Sequence, residues 1–534
     1  MLSFQKTFVE YFKILYNCKK GNFMLSKVLS YGILGLDGYP VSVEVDISGG
    51  LPGVDLVGLA DTSVKEAKER VKSAIKNSGL EYPINKITIN LAPADKKKAG
   101  PLYDVAIAVA ILSAIGKIDF ENTKDIVFLG ELSLDGSVKK INGVLPIIIS
   151  ARENGYKKIV IPEENYKEAS YIEGLDIYTV SSLKDLVLML NGEKAWNKVE
   201  TTDYKVLKQQ SSNESFDFKY VKGQQSAKRA MEIAAAGGHN MIMIGPPGSG
   251  KTMLAKCFPT ILPDMTFDEA LEVTKIHSVS GNLDSNQGII LKRPFRTPHH
   301  TTTKIALTGG NKNATPGEVS LAHNGVLFLD EMPEYDRKTI ETLRQPLEDG
   351  VITVSRALLS VTYPASFTLI GSMNPCPCGY YGSSAKICKC SPAQVHNYLT
   401  KLSGPLMDRI DLHIEVDNIT YDDLHSDFEE ESSSAIKERV DRARKIQTER
   451  FAGTNVHCNS KMNVAMTKKY CALSEDCGEL LKLAFENLNL SARAHDKILK
   501  VARTIADLDG CKDIQTEHIA EAIQYRSLDN KYKA

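Results

Sequence analysis

The residues best equipped for chemistry lie in MIMIGPPGSGKTMLAK (241–256), where an apolar stretch meets a helical one across a glycine-rich turn. Gly245, Pro246, Pro247, Gly248, Ser249, Gly250, Lys251 and Thr252 carry the pattern G-x4-G-K-T. In such a loop the glycines let backbone N–H groups turn inward on phosphate oxygens, and the following helix adds its dipole. Lys251 would reach the β- and γ-phosphates of ATP, and Thr252 would offer its hydroxyl to Mg2+. Further along, GVLFLDEMPE (325–334) reads as a buried strand ending in Asp330-Glu331. Asp330 is suited to hold Mg2+ through water, and Glu331 to polarise an attacking water. FTLIGSMNP (367–375) is another apolar strand, ending at Asn374, whose amide could orient that water beside the γ-phosphate. Positioning and charge stabilisation make up most of phosphoryl-transfer catalysis, so the expected reaction is hydrolysis of MgATP.

Two further groups of residues invite a chemical reading. Cys376-Pro-Cys378-x9-Cys388-Lys-Cys390 brackets a Gly/Tyr/Ser loop with two thiol pairs. Four thiolates can close a structural Zn2+ site, although C-x-C is tighter than the usual C-x2-C. Reduced thiols or a redox pair are the alternatives. KRPFRTPHHTTTK (292–304) gathers four basic side chains with His299 and His300. It reads equally as a phosphate-contacting loop or as a self-ordering one, and less well as a metal site because no acid or thiol is close in sequence.

The elements that must position these residues follow from periodicity. VSVEVDIS (41–48) and KITINLAP (86–93) alternate like half-buried strands, and TSVKEAKERVKSAIKNSG (62–79) has helical spacing that stops at Gly79. VAIAVAILSAIG reads as a buried helix, IVFLGELSLDG (126–136) as half of a hairpin, and KKIVIPEEN (157–165) as strand then loop. VITVSRALLSVTYPASF (351–367) alternates, turns near Arg356-Ala357 and alternates back, a hairpin. At 534 residues the chain is too long for one core. Its net charge of −1 advertises no general affinity for nucleic acid, so any such contact needs a local patch. No apolar run is long enough to span a membrane, residues 1–23 lack the features of a signal peptide, and the six scattered cysteines read as reduced thiols of a cytoplasmic protein. Translation could begin at Met24, or residues 1–23 could form a short helix.

In this order the motifs resemble AAA+ ATPases of the helix-2-insert clade, and most closely the ComM/YifB family, often called magnesium chelatase-like. The resemblance rests on VEVDISGGLPGVDLVGLADTSVKEAKERVKSAI, NLAPADKKKAG, GELSLDG, GPPGSGKT, RPFRTPHH, GVLFLDE, MNPCPCGYYG, LSGPLMDRIDLHIEV and LSARAHDKILKVARTIADL. It implies an α/β chain with a Lon-protease-like N-terminal domain (24–195) after an extension (1–23), and a linker (196–217). There follow an AAA+ P-loop core (218–425) with a helix-2 insert and a pre-sensor-1 hairpin, and a small all-α lid (426–534).

The same resemblance assigns Asn374 as sensor 1, Arg409 as an arginine finger acting on a neighbouring subunit, and Arg493, after the helix N-cap Ser491, as sensor 2. It implies a homo-hexamer working without sequence preference on single-stranded or branched DNA, with Arg356 at the hairpin tip as the leading DNA contact; an exposed turn arginine is the alternative. The implied activity is branch migration of DNA taken up in natural transformation. A chelatase-like remodeller of a protein or tetrapyrrole-metallation partner is the rival. KKKAGPLYD, GELSLDGSVKKINGVLPIIISA and YKKIVIPEEN also align with Lon, but Leu102 and Ile147 stand where a serine nucleophile and its lysine would be, so protease activity is not expected. Lys96, Lys97 and Lys98 are a candidate phosphate patch or a solvated charge run.

Overall fold

In the strand Asp37–Ser48 (β2), Val41, Val43, Val45 and Ile47 point inward while their neighbours do not. That alternation is what a half-buried strand requires. In the computed structural model β2 pairs antiparallel with Met24–Leu34 (β1) and with Lys86–Ala92 (β4), while Gly53–Val57 (β3) lies parallel to β4. The described residues are 24–204, 216–284, 287–311, 314–356, 359–382, 386–418, 430–488 and 490–532. The extension 1–23, residues 205–215 of the linker and residues 419–429 fall outside them.

Two compact units emerge, one formed by Met1–Leu207 with Thr274–Ile290 and one by Lys208–Val273 with Leu291–Ala534. The first contains a seven-stranded sheet ordered β3-β4-β2-β1-β5-β8-β9, completed by Ile126–Phe128 (β5), Lys158–Pro162 (β8) and Asp176–Val180 (β9). Residues 126–136 were expected to be half of a hairpin. Instead Ile126, Val127 and Phe128 are all buried in an inner strand parallel to β1 and β8. The hairpin is the small pair Glu131–Leu132 (β6) and Val138–Lys139 (β7). An apolar run with no alternation suits a strand covered on both faces, which is where IVF goes. The helix Asp104–Ala114 is apolar on all sides and packs on β1 and β2. The helix Thr62–Asn77 starts at its cap Asp61 and is followed by Gly79 at φ 75°, where glycine is the residue that reverses the chain at least cost.

Chain order does not predict every member of this unit. The helix Phe267–Ser280 begins in the second unit and ends in the first. There Ser278 donates to Glu168 at 2.7 Å and accepts the Gly143 N–H at 3.1 Å, and Lys140 donates to the Leu283 carbonyl at 2.9 Å.

The second unit is built on a sheet of five parallel strands, ordered Phe295–Arg296 (β11), Val326–Leu329 (β12), Thr368–Met373 (β15), Met241–Ile244 (β10) and Leu412–Glu415 (β16). Every residue of β10 and β12 is buried, as parallel strands covered on both faces should be. The expected hairpin is present as Val351–Arg356 (β13) and Leu359–Pro364 (β14), paired antiparallel from Val351↔Pro364 to Arg356↔Leu359.

C-terminal helices Ser433–Arg450, Ala492–Leu508 and Thr516–Tyr532 share one apolar core with the sheet, joining Leu254 and Phe328 to Val440, Ile498 and Ala522. Asp507, fully buried on its side chain, pins the first two together by receiving Arg450 at 2.7 Å, and also receives Arg503 of its own helix at 3.1 Å. Asp507→Ala would strand two cations in a low-dielectric interior, a loss of about 3–5 kcal/mol by the cost of breaking a buried pair. The checking measurement is the urea midpoint, and a shift equivalent to under about 1 kcal/mol would refute the assignment.

Candidate active site

Register places the carboxyl ends of three neighbouring strands side by side. Ile244 pairs with Met373, and Leu329 with Gly371, so Gly245, Asp330 and Asn374 all emerge from the same edge of the sheet. Ligand sites of open parallel sheets form at that edge. The phosphate loop leaves β10 with Gly245 donating to the Met373 carbonyl at 3.2 Å. A Cβ on Gly245 would fall 2.2 Å from the Val416 carbonyl oxygen, so no side chain fits. Gly250, at φ 86°, opens the helix Lys251–Cys257. Lys251 is buried, and its ammonium donates to the carbonyls of Gly245 at 2.8 Å and Pro246 at 2.7 Å. Burial lowers its pKa to about 8, against the opposing pull of Asp330 and Glu331.

Thr252 Oγ1 donates to Asp330 Oδ2 at 3.0 Å, so hydroxyl and carboxylate sit together. Ser372 Oγ donates to the other Asp330 oxygen and receives the Glu331 N–H at 3.1 Å. Glu331 is left-handed, at φ 51° and ψ 49°, a conformation that costs a non-glycine residue of order 1 kcal/mol. Its side chain is exposed at the strand terminus. The Thr252 and Asp330 oxygens are hard donors, a set that fits Mg2+. Half-buried Asn374 follows β15, and its backbone N–H is received by Tyr398 in the helix Pro392–Leu399.

The two arginines go elsewhere. Arg409 is hydrogen-bonded to Glu348 and donates to the Pro405 carbonyl at 2.7 Å. Arg493, more than half exposed, lies 4.0 Å from the same Glu348 carboxylate. The Arg409 hydrogen bond first, and then the charges of Arg409, Arg493 and Arg344, hold Glu348 below the ordinary carboxylate range. Ser491 caps its helix as expected, accepting the Ala494 N–H at 3.2 Å. No side-chain bond joins Arg409 or Arg493 to the phosphate loop among the described residues.

The cysteines converge. The four Sγ atoms lie within 4.8 Å of one another, with Cys376 buried and the others half-buried. Gly379 turns the loop between them at φ 83°, where a Cβ would come 2.5 Å from Cδ of Pro247 in the phosphate loop.

The basic patches shrink. Lys98 is buried with its ammonium donating to the Pro93 carbonyl, because residues 59–61 bridge its backbone into the fold. In 292–304, Arg293 is spent on the carbonyls of Pro263 at 2.6 Å and Asn324 at 2.7 Å, and Arg296 forms a bidentate pair with Glu318. His299 and His300 pack ring against ring at 4.0 Å. Structural anchoring therefore accounts for much of that loop. At the Lon-like positions Leu102 and Ile147 are both buried; neither hydrocarbon side chain can be acylated or take a proton. The Arg356 side chain lies outside the described residues.

Sequence reasoning missed Ser372, Glu348, Gly379 and Tyr398. Ser372 alone left a trace, since it sits one position before the end of β15, level with Asp330 once the strands are in register.

Five parallel strands with this phosphate loop on β10 and a carboxylate pair on β12 define an ATP-binding AAA+ protein. Residues 217–424 match the family described as magnesium chelatase, subunit ChlI; residues 43–165 match subunit ChlI of Mg-chelatase, and 430–526 its C-terminal region. The chain belongs to the ComM/YifB family. It is 41% identical to competence protein ComM of Haemophilus influenzae over 94% of this chain and 98% of that protein. It is 42% identical to the uncharacterized protein YifB of Escherichia coli over 95% and 97%. Lon protease 2 of Bacillus subtilis is 36% identical over 23% of this chain and 22% of its own. No helix among the described residues is long and apolar enough to cross a membrane.

Proposed function

We propose that the chain is an ATP-hydrolysing ring motor that moves branched or single-stranded DNA, extending the junction formed when incoming DNA invades a homologous duplex. The observation that carries this reading is the near full-length relationship to a competence protein, over a span that includes the nucleotide site. The geometry supports the ring. Arg409 and Arg493 share Glu348 and neither bonds its own phosphate loop among the described residues, which suits Arg409 to act on a neighbouring copy's nucleotide once released from Glu348. A cation supplied in trans to the transition-state charge is worth about 10³–10⁵ in turnover.

Within one chain, Lys251 and the loop N–H groups grip the β- and γ-phosphates. Asp330 and Thr252 would hold magnesium, which would supply charge neutralisation at the phosphates. Glu331, fixed by its N–H to Ser372, takes the proton of the attacking water, and the Asn374 amide orients that water. The hairpin β13–β14 leads the chain into β15, so movement at Asn374 can be carried to Arg356. Lys251, Asp330, Glu331, Asn374, Arg409 and Arg493 are the assigned catalytic set.

The test is migration of a synthetic four-way junction with and without ATP, alongside turnover with and without DNA. Movement with ATP alone and DNA-stimulated turnover are expected. Arg356→Ala should lower the ratio of stimulated to DNA-free turnover and reduce the salt slope of DNA binding by about one. Turnover indifferent to every DNA form would sink the motor reading and favour the chelatase-like remodeller.

A further inference from the structure

We propose that Cys376, Cys378, Cys388 and Cys390 bind one zinc ion that clamps the loop after Asn374 against the phosphate loop, so that zinc occupancy sets nucleotide affinity. The sulfur geometry comes first. Cys376 and Cys378 are 3.3 Å apart, Cys376 and Cys388 3.7 Å, and Cys378 and Cys388 3.6 Å. Four thiolates at the zinc–sulfur distance of about 2.3 Å form a tetrahedron with edges of about 3.8 Å. All four cysteines are free thiols, and these three separations far exceed a disulfide's bond of about 2.0 Å. Three of the four are half-buried, so these are not simply cysteines filling a hydrophobic core.

The segment also needs a staple. Residues 376–390 contain no helix or strand among those described, and they do not bury their own apolar groups: Ile387 is 92% exposed and Tyr381 43%. A loop with so little core is ordered at small entropic cost only if something ties it.

What the loop touches gives the metal a consequence. Gly379 accepts no side chain because Pro247 of the phosphate loop lies against it, and its N–H is held by the Cys376 carbonyl at 2.9 Å. At the far end, Ser391 follows Cys390 directly and caps the helix Pro392–Leu399 with a full capping box. That helix carries Tyr398, which receives the Asn374 N–H. The metal-bound segment is thus tied to the nucleotide site at Pro247 and again at Asn374. A cluster held by zinc keeps both contacts in place, and its release frees them. The metal itself stands independently of the proposed activity; only the coupling rests on the phosphate loop binding nucleotide.

The experiment begins with metal analysis of the full chain, where about one zinc per chain is expected. Iron in its place, or metal below about 0.1 per chain with the thiols still titratable, overturns the site. A fluorescent ATP analogue then reports binding without turnover. Zinc extraction should weaken its affinity about tenfold, and added zinc should restore it. Cys388→Ser/Cys390→Ser should show the same loss without rescue. Gly379→Ala leaves all four ligands in place; it should keep its zinc yet lose affinity comparably. By reciprocity, saturating the same ATP analogue should tighten zinc by the same factor. Unchanged nucleotide affinity in the zinc-free chain and in Gly379→Ala overturns the coupling, while leaving the metal result intact.

Discussion

In Glu331→Gln, ATP is expected to stay bound while steady-state turnover falls about 10²–10⁴-fold, the range general-base catalysis contributes. The substitution keeps the size and the Ser372 contact, which is made by the backbone N–H. It keeps Thr252 and Asp330 together as well. What disappears is the ability to take a proton from water. Filter retention of labelled ATP, measured beside single-turnover hydrolysis, separates binding from chemistry. Turnover equal to that of the unsubstituted chain would remove Glu331 from its role.

Lys251→Ala is expected to fail a step earlier. Its ammonium is held by two loop carbonyls, which on the proposed reading it would exchange for phosphate oxygens. At about 1.5–3 kcal/mol for each charge-assisted hydrogen bond, losing two such bonds weakens ATP binding a hundredfold or more. The buried amine also makes binding depend on pH. Its pKa of about 8 in the free protein lies below the ordinary lysine value, so the cation is complete at pH 7 and is lost as pH rises through 8. The phosphate-binding form is the protonated one. Affinity should therefore be flat below pH 7 and fall by up to about tenfold per unit above pH 8, with proton uptake on binding. Calorimetry in buffers of different ionisation heat checks this, and affinity that is level from pH 7 to 10 would contradict it.

The nucleotide site was legible because its residues are neighbours in sequence. Gly245 to Thr252 fold on themselves, and the apolar runs before Gly245, Asp330 and Asn374 mark strands by composition alone. Local spacing served equally well for the capped helix at Ser491 and for the hairpin, whose strands pair from Val351 to Arg356 as alternation indicated. It served badly where an apolar run can be either half of a hairpin or an inner strand, and residues 126–128 went to the sheet. Charge runs misled in the same way. Lys98, Arg293 and Arg296 look solvated on the page, yet backbone bridges and carbonyl acceptors from distant segments claim them.

The amino-acid sequence by itself determined the parts of the proposed centre: a phosphate-loop pattern, an acid pair closing an apolar run, and four thiols at a spacing that can meet. Each of those rests on short-range geometry, where residue type and offset leave few outcomes. Tertiary structure alone decided that Ser372 bridges Asp330 and Glu331, that Glu348 gathers Arg409 and Arg493, and that Gly379 rests on Pro247. These contacts join segments far apart along the chain, and they exist only once strand register has set which residues stand level at the edge of the sheet.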